Sequence, residues 1–204
     1  MSIAILLVLL ATGALTLPSF GDDSDDDDDD KNKVEGTFDD DELEGTEGND
    51  LIRGFTGEDT IRGLGGNDEI RGGDGVDTIF GGDGLDFIRG GEGNDIISGG
   101  EGNDRIISDR GDDEVDAGYG SDVVRGGLGN DTIFGGFDAR LQPDGSLQKV
   151  GQSFDQLSGE DGDDTIFIWG GGNDAGGGGQ MNGGIGDDTL VLVTGQTNID
   201  PGAG

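Results

Sequence analysis

Apolar residues recur at one fixed position of a nine-residue pattern that runs from Gly36 to Phe134 without a change of frame. The eighth position of each unit is always aliphatic, from Leu43 in the first unit to Ile133 in the last. An amphipathic helix would place apolar residues three and four apart, and a half-buried strand would alternate them, so neither explains a spacing of nine. The pattern predicts one short strand per unit, centred on the aliphatic position, with a turn on either side.

The polar positions of the unit predict those turns. The fourth position is Gly in every unit except the first, where Asp39 replaces it, and the first two positions are often Gly as well. Glycine adopts the positive φ angles that residues with a Cβ atom resist. The sixth position is Asp in all eleven units, as Asp41, Asp50, Asp59, Asp68, Asp77, Asp86, Asp95, Asp104, Asp113, Asp122 and Asp131.

The unit G-G-x-G-x-D-x-U-x, in which U is aliphatic, closely resembles the calcium-binding repeat of the RTX (hemolysin-type) family. This resemblance implies an all-β fold, a right-handed parallel β-roll or calcium-stacked β-solenoid, in which two successive units make one coil. It also implies that calcium ions lie between turns eighteen residues apart, so that Asp50 stacks over Asp68 and Asp113 over Asp131.

Several Ca²⁺ ions are therefore the expected cofactor. Calcium prefers six to eight oxygen ligands from carboxylates and backbone carbonyls, and glycine-rich turns expose such carbonyls. Position two is not Gly at Thr37, Thr46, Phe55, Leu64 and Asp109, and four of these five lie before Gly72, so the best sites are expected between Gly72 and Phe134. The predicted metal ligands are Asp50, Asp59, Asp68, Asp77, Asp86, Asp95, Asp104, Asp113, Asp122, Asp131, Asp164 and Asp188.

The composition favours a fold that depends on metal. The chain has 204 residues, of which 47 are Gly and only 30 % are hydrophobic, and its formal net charge is -35. Such a chain is normally disordered, because one aliphatic side chain per unit cannot offset the ordering of so many glycines. Calcium would neutralise the stacked carboxylates, so we expect metal binding and folding to be one event.

Composition also excludes several functions. The chain has no His and no Cys, which excludes histidine-based catalytic triads and thiolate metal sites. Nucleic acid is excluded as a partner because 11 basic residues face 46 acidic ones. The arginines at the ninth position of several units are expected to form exposed ion pairs with neighbouring acids, and to bind no metal.

The segments outside the regular repeats complete the domain organisation. Residues 1–21 are apolar and predict a cleaved signal peptide or, alternatively, an uncleaved membrane anchor; either places the rest of the chain outside the cytoplasm. Residues 22–35 predict an acidic disordered linker, and residues 36–134 the β-roll. Residues 135–158 predict an inserted loop, and residues 159–204 degenerate repeats and a tail, in which Asp174 is a weaker candidate ligand.

Two functions remain open at this stage. The favoured one is a secreted or extracellular calcium-binding β-roll without enzymatic activity, with a structural, adhesive or matrix role. Its expected partners are calcium ions, an extracellular polysaccharide or surface and, if the apolar segment stays attached, a membrane. The alternative is an RTX-type secreted hydrolase or carbohydrate-processing protein. The acidic residues form repeating ranks rather than one singular pair in a cleft, which favours the first function.

Overall fold

The computed structural model describes residues 31–136, 139–141, 147–149, 154–169, 178–194 and 198–204. The apolar residues 1–21, most of the acidic linker and Asp174 lie outside these ranges. Within them every regular element is a β-strand, as the repeat predicts. No helix in this part of the chain is long and apolar enough to cross a membrane.

The strands form two parallel sheets and one hairpin. The nine-stranded sheet contains, in spatial order, β1 (Asn32–Glu35), β3 (Asp50–Thr56), β5 (Glu69–Asp74), β7 (Phe87–Glu92), β9 (Arg105–Arg110), β11 (Val123–Leu128), β15 (Phe154–Asp161), β17 (Gly178–Ile185) and β19 (Asn198–Asp200). The eight-stranded sheet contains β2 (Glu42–Glu44), β4 (Thr60–Gly65), β6 (Thr78–Asp83), β8 (Ile96–Glu101), β10 (Glu114–Asp116), β12 (Thr132–Phe134), β16 (Thr165–Trp169) and β18 (Thr189–Thr194). The antiparallel hairpin pairs β13 (Ala139–Leu141) with β14 (Leu147–Lys149).

Successive strands alternate between the two sheets, so that two repeat units make one coil. Along β3, β5 and β7 the register pairs Ile52 with Ile70 and Ile70 with Ile88, a shift of eighteen residues per coil. The predicted parallel roll with two units per coil is therefore confirmed. Backbone hydrogen bonds also join the turns of successive coils, as from the Gly75 N–H to the Glu92 carbonyl at 2.7 Å.

The core is a narrow column of aliphatic side chains between the sheets. Each eighth-position residue points inward, because alternate side chains of a strand lie on opposite faces of its sheet. The buried apolar residues are Val34, Leu43, Ile52, Ile61, Ile70, Ile79, Ile88, Ile97, Ile106, Val115, Ala117, Val124, Ile133, Leu157, Ile166, Ile168 and Met181.

The first strand lies in the segment that the sequence analysis assigned to the linker. Asn32–Glu35 pair with Asp50–Arg53 of β3, and Val34 is buried against the core. Val34 precedes Ile52 by eighteen residues and so occupies an eighth position. The run of aspartates before Val34 hides this first repeat-like unit from inspection of the sequence.

The insertion after the regular repeats is shorter than the sequence analysis assigned. The hairpin β13–β14 lies inside it, but β15 already begins at Phe154 and pairs with β11, placing Leu157 opposite Val124. The interval from Asp122 to its stacked partner Asp155 is 33 residues, one coil plus fifteen inserted residues. The coils therefore continue across the insertion, and β17 and β19 extend the same sheet.

Candidate metal centre

The sixth-position aspartates form two columns along the roll. One column lies in the turns that lead from the nine-stranded to the eight-stranded sheet, and the other in the turns that lead back. The first column consists of Asp41, Asp59, Asp77, Asp95, Asp113, Asp131, Asp164 and Asp188. The second column consists of Asp50, Asp68, Asp86, Asp104, Asp122 and Asp155. All twelve aspartates of the predicted ligand set lie in these columns, whereas the weaker candidate Asp174 lies outside the described residues.

Hydrogen bonds join each column internally. The backbone N–H of Asp77 donates to Oδ1 of Asp95 at 2.9 Å, and the N–H of Asp95 donates to Oδ1 of Asp113 at 2.8 Å. The same bond repeats at every step of both columns. After the first member of each column, one oxygen of every carboxylate is thus held by the preceding coil, which fixes the side chain in the turn.

The second oxygen of most of these carboxylates has no such partner. Within the described residues this Oδ2 is buried and accepts no hydrogen bond, although a buried charged oxygen without a partner is strongly unfavourable. The residues concerned are Asp59, Asp68, Asp77, Asp86, Asp95, Asp104, Asp131, Asp164 and Asp188. Each column therefore presents a series of buried carboxylate oxygens that require a cation or a proton.

A backbone carbonyl lies near each of these carboxylate oxygens. A Cβ atom added to Gly72 would lie less than 3.0 Å from both Asp77 Oδ2 and the carbonyl oxygen of Gly90, one coil later. Gly81 has the equivalent neighbours, because a Cβ atom there would lie less than 3.0 Å from Asp86 Oδ2 and from the carbonyl oxygen of Gly99. Glycine at the first position thus leaves room for a carboxylate and a carbonyl oxygen to converge, and these are the oxygen types that calcium prefers.

The pKa values of these carboxyl groups are raised. Burial is the main cause, and it raises the pKa of Asp68, Asp95 and Asp131 to about 7, with repulsion from neighbouring aspartates adding to the shift. The pKa values of Asp77 and Asp104 rise to about 6 for the same first reason. The N–H bond from the preceding coil opposes the shift but does not cancel it. The protein alone therefore leaves much of this buried charge uncompensated.

Several arginines outside the columns form ion pairs with acidic side chains of the described residues. Arg71 lies 2.7 Å from Glu69, and Arg62 lies 3.1 Å from Glu42, both as exposed ion pairs. Arg89 pairs with Asp109 in the same way. The expected surface ion pairs of the ninth-position arginines are confirmed at these residues, and none of these arginines neutralises a column.

The donor set favours a hard divalent cation. No group of three or more carboxylates converges anywhere in the described ranges, so an ion in a column would bind one or two carboxylates together with backbone carbonyls. The chain has neither His nor Cys to supply nitrogen or sulfur ligands. Oxygen-only sites with several carbonyls suit calcium.

Sequence comparison identifies the repeat. A family model for the RTX calcium-binding nonapeptide repeat matches residues 35–70, 53–88, 71–106, 80–115 and 107–139, which together span about half of the chain. The chain belongs to this RTX family. A search of curated proteins finds no significant match. RTX nonapeptide repeats bind calcium, and the buried, half-satisfied carboxylates of the two columns fit that chemistry.

One member of the columns was missed by the sequence analysis. Asp155 is buried, and its Oδ1 accepts the N–H of Asp122 at 3.1 Å, as in a regular RTX coil. Its unit, V-G-Q-S-F-D-Q-L-S, lacks most of the glycines, which is why it does not resemble the repeat. The available signal is the aliphatic Leu157 two residues after Asp155, followed at once by the next unit.

Proposed function

We propose that this RTX protein is an extracytoplasmic β-roll that folds on binding calcium and acts as a structural, adhesive or matrix module. The observation that carries the proposal is the repeated buried Oδ2 without a hydrogen-bond partner in the described turns. A folded chain with this many uncompensated buried charges would be unstable, and divalent cations remove that penalty. Binding and folding are then coupled, because the stacked turns exist only in the folded chain.

The columns supply the ligands in this proposal. When bound, the ions add positive charge between successive coils and neutralise the carboxylates. The chain's own part is to hold one carboxylate oxygen by the N–H bond, to aim the other toward a first-position carbonyl, and to exclude water. The proposed ligands are Asp59, Asp68, Asp77, Asp86, Asp95, Asp104, Asp113, Asp122, Asp131, Asp164 and Asp188.

An extracellular location suits this chemistry. RTX calcium-binding repeats are typical of extracellular or secreted proteins, and millimolar calcium outside cells would saturate weak sites. The apolar residues 1–21 supply an export signal or anchor in this proposal. An extracellular polysaccharide or surface is the proposed partner of the roll.

A role without catalysis fits the distribution of acidic residues. The carboxylates of the described turns repeat from coil to coil, whereas a catalytic pair would be a singular arrangement beside a substrate cleft. Turnover of acidic polysaccharides, measured in calcium with the purified chain, tests this part. Product formation above a heat-treated control would support the hydrolase or carbohydrate-processing alternative.

Calcium-dependent folding is tested with the full chain. Circular dichroism is recorded on metal-free protein and again during titration with CaCl₂, with MgCl₂ and NaCl at equal ionic strength as controls. We expect β-sheet signal and a thermal transition to develop with calcium at concentrations where the controls have little effect. If metal-free protein has the same β-rich spectrum and the same melting temperature, the proposed function is wrong.

A further inference from the structure

The first two turns of the roll satisfy their carboxylates with protein groups. In the turn from Gly45 to Asp50, Thr46 donates to Asp50 Oδ2 from its backbone N–H at 2.5 Å and from its hydroxyl at 3.1 Å. In the turn from Gly36 to Asp41, Thr37 makes the same two bonds to Asp41, at 2.6 and 2.9 Å. The Oδ2 oxygen that lacks a partner in turns such as those of Asp59 and Asp68 is thus doubly hydrogen-bonded here.

The backbone conformation of the second-position residue also differs between these two turns and the later ones. In the later described turns the second-position residue has a positive φ angle, even where it has a large side chain, as at Phe55 (82°) and Leu64 (80°). Thr37 and Thr46 are not among the residues with positive φ. The threonine hydroxyl stabilises this other conformation, because Thr46 Oγ1 accepts the N–H of Gly48 at 3.1 Å. The same conformation directs the threonine N–H toward the carboxylate.

The chain contains a matched comparison for this difference. Residues 45–50 read G-T-E-G-N-D, and both residues 90–95 and residues 99–104 read G-G-E-G-N-D. Only the second residue differs between them. In the two glycine turns Oδ2 of Asp95 and Oδ2 of Asp104 are buried without a partner, whereas Asp50 Oδ2 is hydrogen-bonded. One side chain therefore separates a turn that requires a cation from a turn that does not.

We propose that Thr46 and Thr37 take the place of the cation in the first coil, so that the metal sites begin at Asp59 and Asp68. The inference rests on the proposed calcium function and refines it for individual turns. Two donors occupy the Oδ2 lone pairs that would otherwise face an ion. The turn also lacks the positive φ angle at its second position that is found in the metal-ready turns, by which we mean the later turns whose Oδ2 has no partner. The N-terminal end of the roll is then a cap ordered by hydrogen bonds, and the following coils are ordered by calcium.

The main experiment converts the cap turn into a metal-ready turn. Thr46→Gly makes residues 45–50 identical to the two glycine turns, and Thr46→Ser keeps both donors as the matched control. Bound calcium is measured by equilibrium dialysis with elemental analysis, and amide hydrogen exchange of the first coil is followed with and without calcium. For Thr46→Gly we expect about one additional calcium ion per chain and first-coil protection that now depends on calcium. Thr46→Ser should match the wild-type protein.

A second pair of variants keeps the inference falsifiable if Thr46→Gly disturbs folding. Asp50→Asn and Asp104→Asn change the same position of turns with nearly the same sequence. We expect Asp104→Asn to lower the number of bound ions and Asp50→Asn to leave it unchanged. Equal losses in both variants, or an unchanged ion count in a folded Thr46→Gly, would overturn the inference. Absence of calcium binding by the wild-type chain would instead refute the proposed function on which it rests.

Discussion

At the scale of single residues, the first position of the unit decides how much space a column offers. Ser108 stands there in place of glycine, is fully buried, and donates its hydroxyl to the carbonyl oxygen of Gly126 at 2.8 Å. It also lies close enough to Asp113 that its hydrogen bond opposes the rise in that group's pKa, which burial chiefly causes. Ser108 therefore fills the space that is open beside Gly72 and Gly81.

Removal of this hydroxyl should strengthen calcium binding at Asp113. Ser108→Gly takes away a hydrogen bond that contributes about 1 kcal/mol to the metal-free form, and it frees the Gly126 carbonyl for an ion. We expect a larger rise of melting temperature on adding calcium than in the wild-type chain, measured by calorimetry. Ser98→Gly, the same change on strand β8 away from the columns, is the control, and an equal rise in both variants would contradict the argument.

Replacing a column aspartate in the middle of the roll should reduce calcium binding far more than replacing an acidic residue of the linker. Oδ1 of Asp95 accepts the N–H of Asp77, and its Oδ2 is buried without a partner, so Asp95→Ala removes both carboxylate oxygens from the middle of the first column. We expect fewer bound ions and a less cooperative isothermal titration curve. Asp27→Ala, which lies outside the described residues, should change neither quantity. Similar losses in the two variants would mean that the columns are not the binding sites.

At the scale of elements, the turns tolerate side chains only where successive coils leave room. Gly75 has a φ angle of 135°, and a Cβ atom there would lie less than 3.0 Å from the Gly57 carbonyl. Gly48 also stands at the fourth position but lacks a positive φ, and the nearest atom to an added Cβ is Thr46 Oγ1 at 3.7 Å. Glycine at the fourth position is therefore required by the backbone in the metal-ready turn of Gly75, but not in the cap turn of Gly48.

Alanine substitution should therefore lower the unfolding free energy much more at Gly75 than at Gly48. Gly75→Ala combines an unfavourable φ angle with a backbone clash, and we expect it to lower the unfolding free energy by at least ~2 kcal/mol. Gly48→Ala should change it by less than ~1 kcal/mol. Denaturant titration in saturating calcium measures both. A comparable loss in Gly48→Ala would show that the cap has the same turn conformation as the later coils.

The elements also show what sequence analysis can and cannot recover. A strict nine-residue period predicts strand, turn and stacking together, because one coil determines the next, and Ile70 lies between Ile52 and Ile88 as expected. Val34 and Asp155 were missed because acidic or glycine-poor surroundings hide their units. The role of Thr46 was also out of reach, since it depends on where one N–H points.

At the scale of the whole molecule, repulsion dominates the metal-free chain. The formal net charge is -35, and burial raises the pKa of Asp68 and Asp95 to about 7 from an ordinary 3.8. A carboxyl group with a raised folded-state pKa keeps its proton in the fold after the unfolded chain has released it. The metal-free roll therefore loses stability as pH rises from about 4 to about 7.

This linkage predicts opposite pH responses with and without calcium. Metal-free protein should have a higher melting temperature at pH 5 than at pH 7.5, because protons then neutralise the columns. In saturating calcium the order should reverse, since protons compete with the ions for the same carboxylates. Melting curves by circular dichroism at the two pH values decide this. A metal-free roll that is more stable at pH 7.5 would contradict the uncompensated burial.

The direction of the hydrogen bonds between coils has a mechanical consequence. Strands of successive coils pair side by side, so these bonds lie along the axis of the roll, and a pull from one end to the other loads every coil boundary in tension. Any ion between two coils shares that load at the edge where its column runs. The force needed to peel coils apart would then rise with dissolved calcium, making the rod a tether whose strength follows the ionic content of its surroundings.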